Sequence, residues 1–255
     1  MTDTRPAEDT SRRLALLWDP PQPSTRGRRA TLTLPDVVAA GIAVAHAGGL
    51  EALSMRKVAG HLGVGAMTLY TYVPGRTELI DLMIDAAFAE LTLPEPGAPW
   101  RDALTRYATE HHDLYLRHPW ILQTNMWRLP LAPHVLDAEE AGLRVLSEAG
   151  LPAGRVVEVI GLVDSTVRGL ARAAVAEQAE GSSTGTSNDD YWESMSEFWG
   201  TWFDPARYPT MTRVWEAGGF DTGHASFEAT FQRLLDGVEL AVDRAAAEHG
   251  TTGRG

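Results

Sequence analysis

Apolar residues recur at three- and four-residue intervals along nearly the whole chain and never settle into the two-residue alternation of a half-buried strand, so the pattern predicts an all-α protein. The first periodic segment starts near Thr33, with Pro35 in its first turn, carries Val37, Val38, Ile42, Val44 and Ala45, and stops at Gly48-Gly49. Ser54 is placed to cap a second helix that buries Met55, Val58, Ala59 and Leu62, and Gly63, which tolerates the left-handed conformation, ends it. A third segment buries Val64, Leu69 and Val73 before Pro74-Gly75 stops it. A fourth runs from Arg76 or Thr77 through Leu91 to Pro94-Glu95-Pro96, and that proline cluster is the expected domain boundary. Beyond it, helices are expected from Trp100 to His118, Trp120 to about Trp127, His134 to Ala149, Pro152 to about Glu180, Asp189 to Phe203, Tyr208 to Ala217 and Gly223 to Glu248. Gly181 to Asn188 reads as a loop, and residues 1–30, rich in proline and arginine without a period, as a flexible N-terminal arm. The division is therefore 1–30, 31–94 and 95–250.

Residues 54–72 form two short helices broken by a glycine turn, the layout of a DNA-reading helix-turn-helix, whose second helix leaves Met67, Thr68, Thr71 and Tyr72 free. The same spacing fits an ordinary helical hairpin, so charge has to discriminate. The chain carries a net charge of −12, yet residues 1–76 hold 9 Arg and Lys against 6 Asp and Glu, while residues 77–255 hold 13 against 28. Only the front can approach phosphates without repulsion, which describes a small basic reader on an acidic body. Arg26, Arg28 and Arg29 in the arm could follow DNA into a minor groove, although such runs are also found as solvated tails.

The absence of cysteine excludes disulfides, thiol nucleophiles and Cys-ligated zinc, and suits a reducing compartment, so a cytoplasmic protein is expected. The apolar run Leu14 to Trp18 is too short for a signal peptide or a membrane span, and no membrane partner is expected. The rival enzymatic reading rests on His111, His112, Asp113 and His118. His111 and His112 point to different helix faces, and His111 with His118 lacks the i, i+4 pairing and glutamate of a zinc protease motif. With no phosphate loop, nucleophile elbow or dinucleotide fingerprint either, no enzymatic activity, catalytic residue, cofactor or metal is expected.

Residues Thr33 to Leu91 resemble the N-terminal domain of the tetracycline-repressor (TetR) family of bacterial transcriptional regulators. The likeness is carried by the run Gly49 to Ala59 with Leu62-Gly63-Val64, Leu69-Tyr70 and Tyr72-Val73. More weakly, the Trp100 start, the His118-Pro119 corner and two long late helices resemble the C-terminal domain of the tetracycline repressors themselves. The resemblance implies an N-terminal three-helix DNA-binding domain and a larger helical ligand-binding and dimerisation domain, assembled as a homodimer. Its two readers would enter major grooves about 34 Å apart on a palindromic double-stranded DNA operator. It further implies base contacts from Arg56, Met67 and Thr68 and phosphate contacts from Tyr70, Tyr72 and Arg76, with Ala66 and Thr71 in the same DNA-binding segment and a small-molecule effector releasing the repressor; Tyr70 equally suits a packing role. The chain carries Thr92 and Asn125 where tetracycline-binding members use histidines, so the likeness covers fold and regulatory logic and departs at tetracycline–magnesium recognition. A protein-binding adaptor that kept only the reader's shape is the alternative, opposed by Arg56, Lys57, Tyr70, Tyr72 and Arg76.

Within the body, Tyr107, His111 and Tyr115 share one helix face, Trp120, Asn125, Met126 and Trp127 follow, and Asp164, Val167, Arg168 and Ala171 would face them from the long helix. An aromatic wall with few polar groups suits a small-molecule site, and equally suits a core. Val156, Val157, Ile160, Val163, Val167 and Leu170 on one helix, with Phe227, Phe231, Leu234, Leu235, Val238 and Ala241 on another, form stripes expected to build a four-helix dimer interface. Trp192, Met195, Trp199 and Trp202 form a further stripe that could cap the pocket or face a partner subunit.

Overall fold

A computed structural model describes residues 5–20, 32–125, 128–185, 188–220 and 226–252. Among these residues every regular element is helical: α1 Arg5–Trp18, α2 Leu34–Ala52, α3 Met55–Leu62, α4 Ala66–Leu69, α5 Arg76–Phe88, α6 Trp100–Arg117, a 3₁₀ turn Pro119–Gln123, α7 Pro133–Glu148, α8 Ala153–Thr184, α9 Asn188–Ser194, a π-turn Phe198–Trp202, α10 Pro209–Glu216 and α11 Phe227–Thr252. They fall into two compact units, residues 1–168 and 169–255.

The local signals act as the sequence implies. Thr33 and Asp36 form a reciprocal capping box before Pro35 starts α2, and the helix breaks at Gly48 and Gly49, the latter at φ +69°. A side chain at Gly49 would also meet the amide of Gln123 at 2.9 Å, so glycine is required there twice over. The Ser54 hydroxyl accepts from the Lys57 amide at 3.2 Å, and Gly63 closes α3 in the left-handed conformation.

Three expectations are corrected. Residues 5–18 are helical instead of an extended arm, with Leu16 and Leu17 buried; Arg26, Arg28 and Arg29 lie outside the described residues. The second helix of the hairpin is a single turn, α4, followed by turns, and Val64 and Leu62 are only half-buried. Of the predicted 181–188 loop, residues 181–184 continue α8, where the Ser182, Ser183 and Thr184 hydroxyls turn back onto the Gln178 and Glu180 carbonyls. In the two apolar stripes, Val156, Ile160, Val163 and Val167 on α8 are buried, as are Phe231, Leu235 and Val238 on α11. What these helices leave exposed is Val157, Leu162 and Leu240.

The proline cluster at 94–96 ends a segment without separating compact units. Reader and body are tied across it within the first unit. Asp85 of α5 receives the His134 backbone N–H at 2.8 Å and pairs with its ring at 2.9 Å at the start of α7. The Leu50 N–H donates to Gln123 at 2.8 Å, and Arg144 donates to the Pro94 carbonyl at 2.6 Å. Between α2 and the 3₁₀ turn, the His46 and His118 rings share a hydrogen bond of 2.9 Å, and His118 meets Glu90 at 3.0 Å.

Candidate DNA interface and effector site

The hairpin separates a packed inner side from a free outer side. Val58, Leu69 and Val73 are 0 % exposed, and Met55 and Ala59 join them in the core. On the outside, Met67 is 77 % exposed, Tyr70 is about half exposed, and Arg56, Lys57, Thr68 and Thr71 stand at the surface; Ala66 is half-buried.

Two residues expected to hold phosphates are engaged inside the chain. The Tyr72 hydroxyl donates to the Leu32 carbonyl at 3.0 Å. Arg76 donates from Nε to the Leu53 carbonyl at 3.0 Å and from a terminal nitrogen to the Leu50 carbonyl at 2.7 Å. The guanidinium thereby gives the Leu53 carbonyl a donor and joins the Leu53 N–H as a second donor on the Leu50 carbonyl, a role its sequence position did not reveal. Thr71 likewise spends its hydroxyl on the Thr68 carbonyl at 2.6 Å.

In the body, α6 brings together part of the expected effector set. Tyr107, His111 and Tyr115 are 2–4 % exposed, and the Tyr107 and His111 rings lie 4.1 Å apart. The Tyr107 hydroxyl donates to Asp164 of α8 at 3.2 Å. His111 donates through Nδ1 to the Tyr107 carbonyl at 2.7 Å, which leaves Nε2 as an acceptor. Burial lowers the His111 imidazole to about 4 and raises the Asp164 carboxyl to about 6, the latter against the pull of Arg168. Burial also raises the Tyr107 phenol well above its ordinary value, with Asp164 adding to the effect. Gly142 of α7 admits this packing: a Cβ there would stand 2.7 Å from Ile160 and 3.0 Å from the Tyr107 ring.

The rest of the set is dispersed. Asn125 lines a separate cleft of about 740 Å³ with Gly48, Leu50, Arg76, Ile80 and Gln123. Val167 is buried and Arg168 half-buried on α8; Ala171 is buried in the second unit, and Trp127 lies outside the described residues. The tryptophan stripe faces outward, with Trp192 and Trp199 exposed and Trp202 at 73 %.

A sequence profile for the tetracyclin repressor-like C-terminal domain matches residues 93–242. The chain is 39% identical to the HTH-type transcriptional repressor DrrR1 of Streptomyces coeruleorubidus, over 97% of this chain and 92% of that protein. The chain belongs to the tetracycline-repressor family. It is a helix-turn-helix transcriptional regulator, and regulators of this family are not enzymes. The class E tetracycline repressor of Escherichia coli is 29% identical over 59% of this chain and 71% of its own length. Among solved structures, ActR of Streptomyces coelicolor in complex with actinorhodin shares the fold, with a TM-score of 0.66 at 23% identity over 86% of this chain and 97% of ActR. No helix among the described residues is long and apolar enough to cross a membrane.

Proposed function

We propose that the chain works in the cytoplasm as a homodimeric repressor that reads a near-palindromic operator and is released by a small organic effector. The observation that carries the DNA reading is the exposed Met67 on a turn whose opposite side, Leu69 and Val73, is fully buried. Arg56, Ala66, Met67 and Thr68 face bases, and Tyr70 and Thr71 approach phosphates; Tyr72 and Arg76 act first by shaping the reader and only secondarily at the backbone. Selection of bound DNA from a random pool tests this, the expected product being an inverted repeat; recovery of no preferred sequence would leave the adaptor reading in its place.

The effector is proposed to act at Tyr107, His111, Tyr115, Asp164, Val167 and Arg168, all within the first unit. Support comes from a buried polar cluster whose ionisable groups are shifted by burial, in a family whose members bind small molecules. Exposed Val157, Leu162 and Leu240 support a second copy of the chain as partner. A core role for the cluster makes a different prediction: Tyr107→Phe then lowers stability and leaves the effector concentration for half-release unchanged. Light scattering reports the dimer independently.

A further inference from the structure

Helix α1 lies before the helix-turn-helix and is held at two points that belong to different parts of the first unit. Arg13 donates from Nε to Asp81 of α5, whose carboxylate is buried. Five residues on, the Trp18 indole N–H donates at 2.8 Å to the Leu131 carbonyl, immediately before α7. Leu16 and Leu17 are buried, so the helix is docked by packing as well as by these two bonds. Burial raises the Asp81 carboxyl, and the Arg13 hydrogen bond opposes this. A helix this short is marginal in isolation, and its persistence depends on both docking points. The chain leaving α1 reaches Leu32, whose carbonyl accepts from Tyr72 at the end of the reading segment.

We propose that α1 is a clasp: Arg13 and Trp18 are positioning residues that hold α5 of the reader in fixed relation to the start of α7, and so preserve the arrangement that binds the operator. The clasp rests on the reading above that the effector-free chain is the operator-binding form. Nothing in it requires α1 to touch DNA. Its loss frees the reader to sample other orientations, so binding weakens through the fraction of competent molecules and effector has less left to release.

The chain contains no cysteine, so paired spin labels can be placed cleanly at Thr77→Cys on α5 and Glu140→Cys on α7, both exposed positions. With labelled chain diluted into unlabelled chain, the distance distribution should broaden on Arg13→Ala and on Trp18→Phe, the second keeping the ring and removing only the N–H. Operator affinity should fall about tenfold in each, with an unchanged dependence on salt because no phosphate contact is lost, and Arg13→Lys should recover part of it. If Arg13→Ala does not fold, Trp18→Phe still gives both readouts. An unaltered distance distribution in both variants overturns the clasp. So does weaker binding with a shallower salt dependence, which would make α1 a DNA contact. Failure of the parent chain to bind any operator would remove the repressor reading while leaving the distance measurement to judge the clasp.

Discussion

Replacing Arg76 by Met keeps most of the aliphatic stem and removes the guanidinium, which separates two roles that the sequence assigns to one residue. In the structure the group makes hydrogen bonds of 3.0 Å and 2.7 Å to the Leu53 and Leu50 carbonyls. A charged donor on a carbonyl contributes about 1.5–3 kcal/mol when shielded, and the exposure of Arg76 reduces the pair together to about 2 kcal/mol. For a chain of this size that corresponds to a fall in Tm of about 4–8 °C, measurable by circular dichroism. Operator affinity, followed by fluorescence anisotropy over a range of salt, should fall by a few-fold with its salt slope intact. A phosphate contact gives the opposite signature: Tm unchanged and the slope of log affinity against log salt reduced by about 0.9 per contact, hence about 1.8 for the two readers of a dimer. That second pattern would refute a structural role for Arg76 on the Leu50 and Leu53 carbonyls.

Further outcomes follow from the same geometry. Met67→Ala and Thr68→Ala should change the preferred bases at one or two operator positions by about 1–3 kcal/mol each in a binding-site selection, with Tm unmoved, since both side chains are exposed. Gly142→Ala should lower stability by about 1–3 kcal/mol in urea titration, because the new methyl meets Ile160 and Tyr107 inside van der Waals contact. The buried ionisable pair gives a pH prediction. His111 is lowered to about 4, so between its unfolded value of 6.5 and pH 4 the unfolded chain binds the extra proton and stability falls on acidification. Asp164 is raised from 3.8 to about 6, so in that overlap the folded chain holds the extra proton and stability falls as pH rises. The two slopes oppose one another; Asp164→Asn should raise stability above pH 6 and expose the His111 slope, up to about 1.4 kcal/mol per pH unit, in melts between pH 4 and 6.

What the sequence revealed was local. Thr33, Ser54 and Gly63 declare helix ends through their own side chains or freedom, and Leu69 and Val73 declare a buried side through spacing alone. What it concealed depends on partners far along the chain. The helix at residues 5–18 needs Asp81 and Leu131 to hold it, more than sixty and one hundred residues away, and no periodicity in its own short span announces either. The family resemblance assigns Arg76 to a phosphate; its carbonyl partners become visible only when α2 and α5 are folded together. The effector set was half legible for the same reason. Tyr107, His111 and Tyr115 follow from helical spacing, while Asn125 was grouped with them by proximity in sequence, and the 3₁₀ turn carries it to another cleft.

The central claim is that residues 56–72 read DNA in duplicate. Selection of bound fragments from a random double-stranded pool by the full-length chain tests it most directly. An inverted repeat is expected, with half-site centres about one helical turn apart, the spacing of two readers on one face of the duplex. Enrichment of a single unpaired half-site, or of no sequence at all, would contradict it.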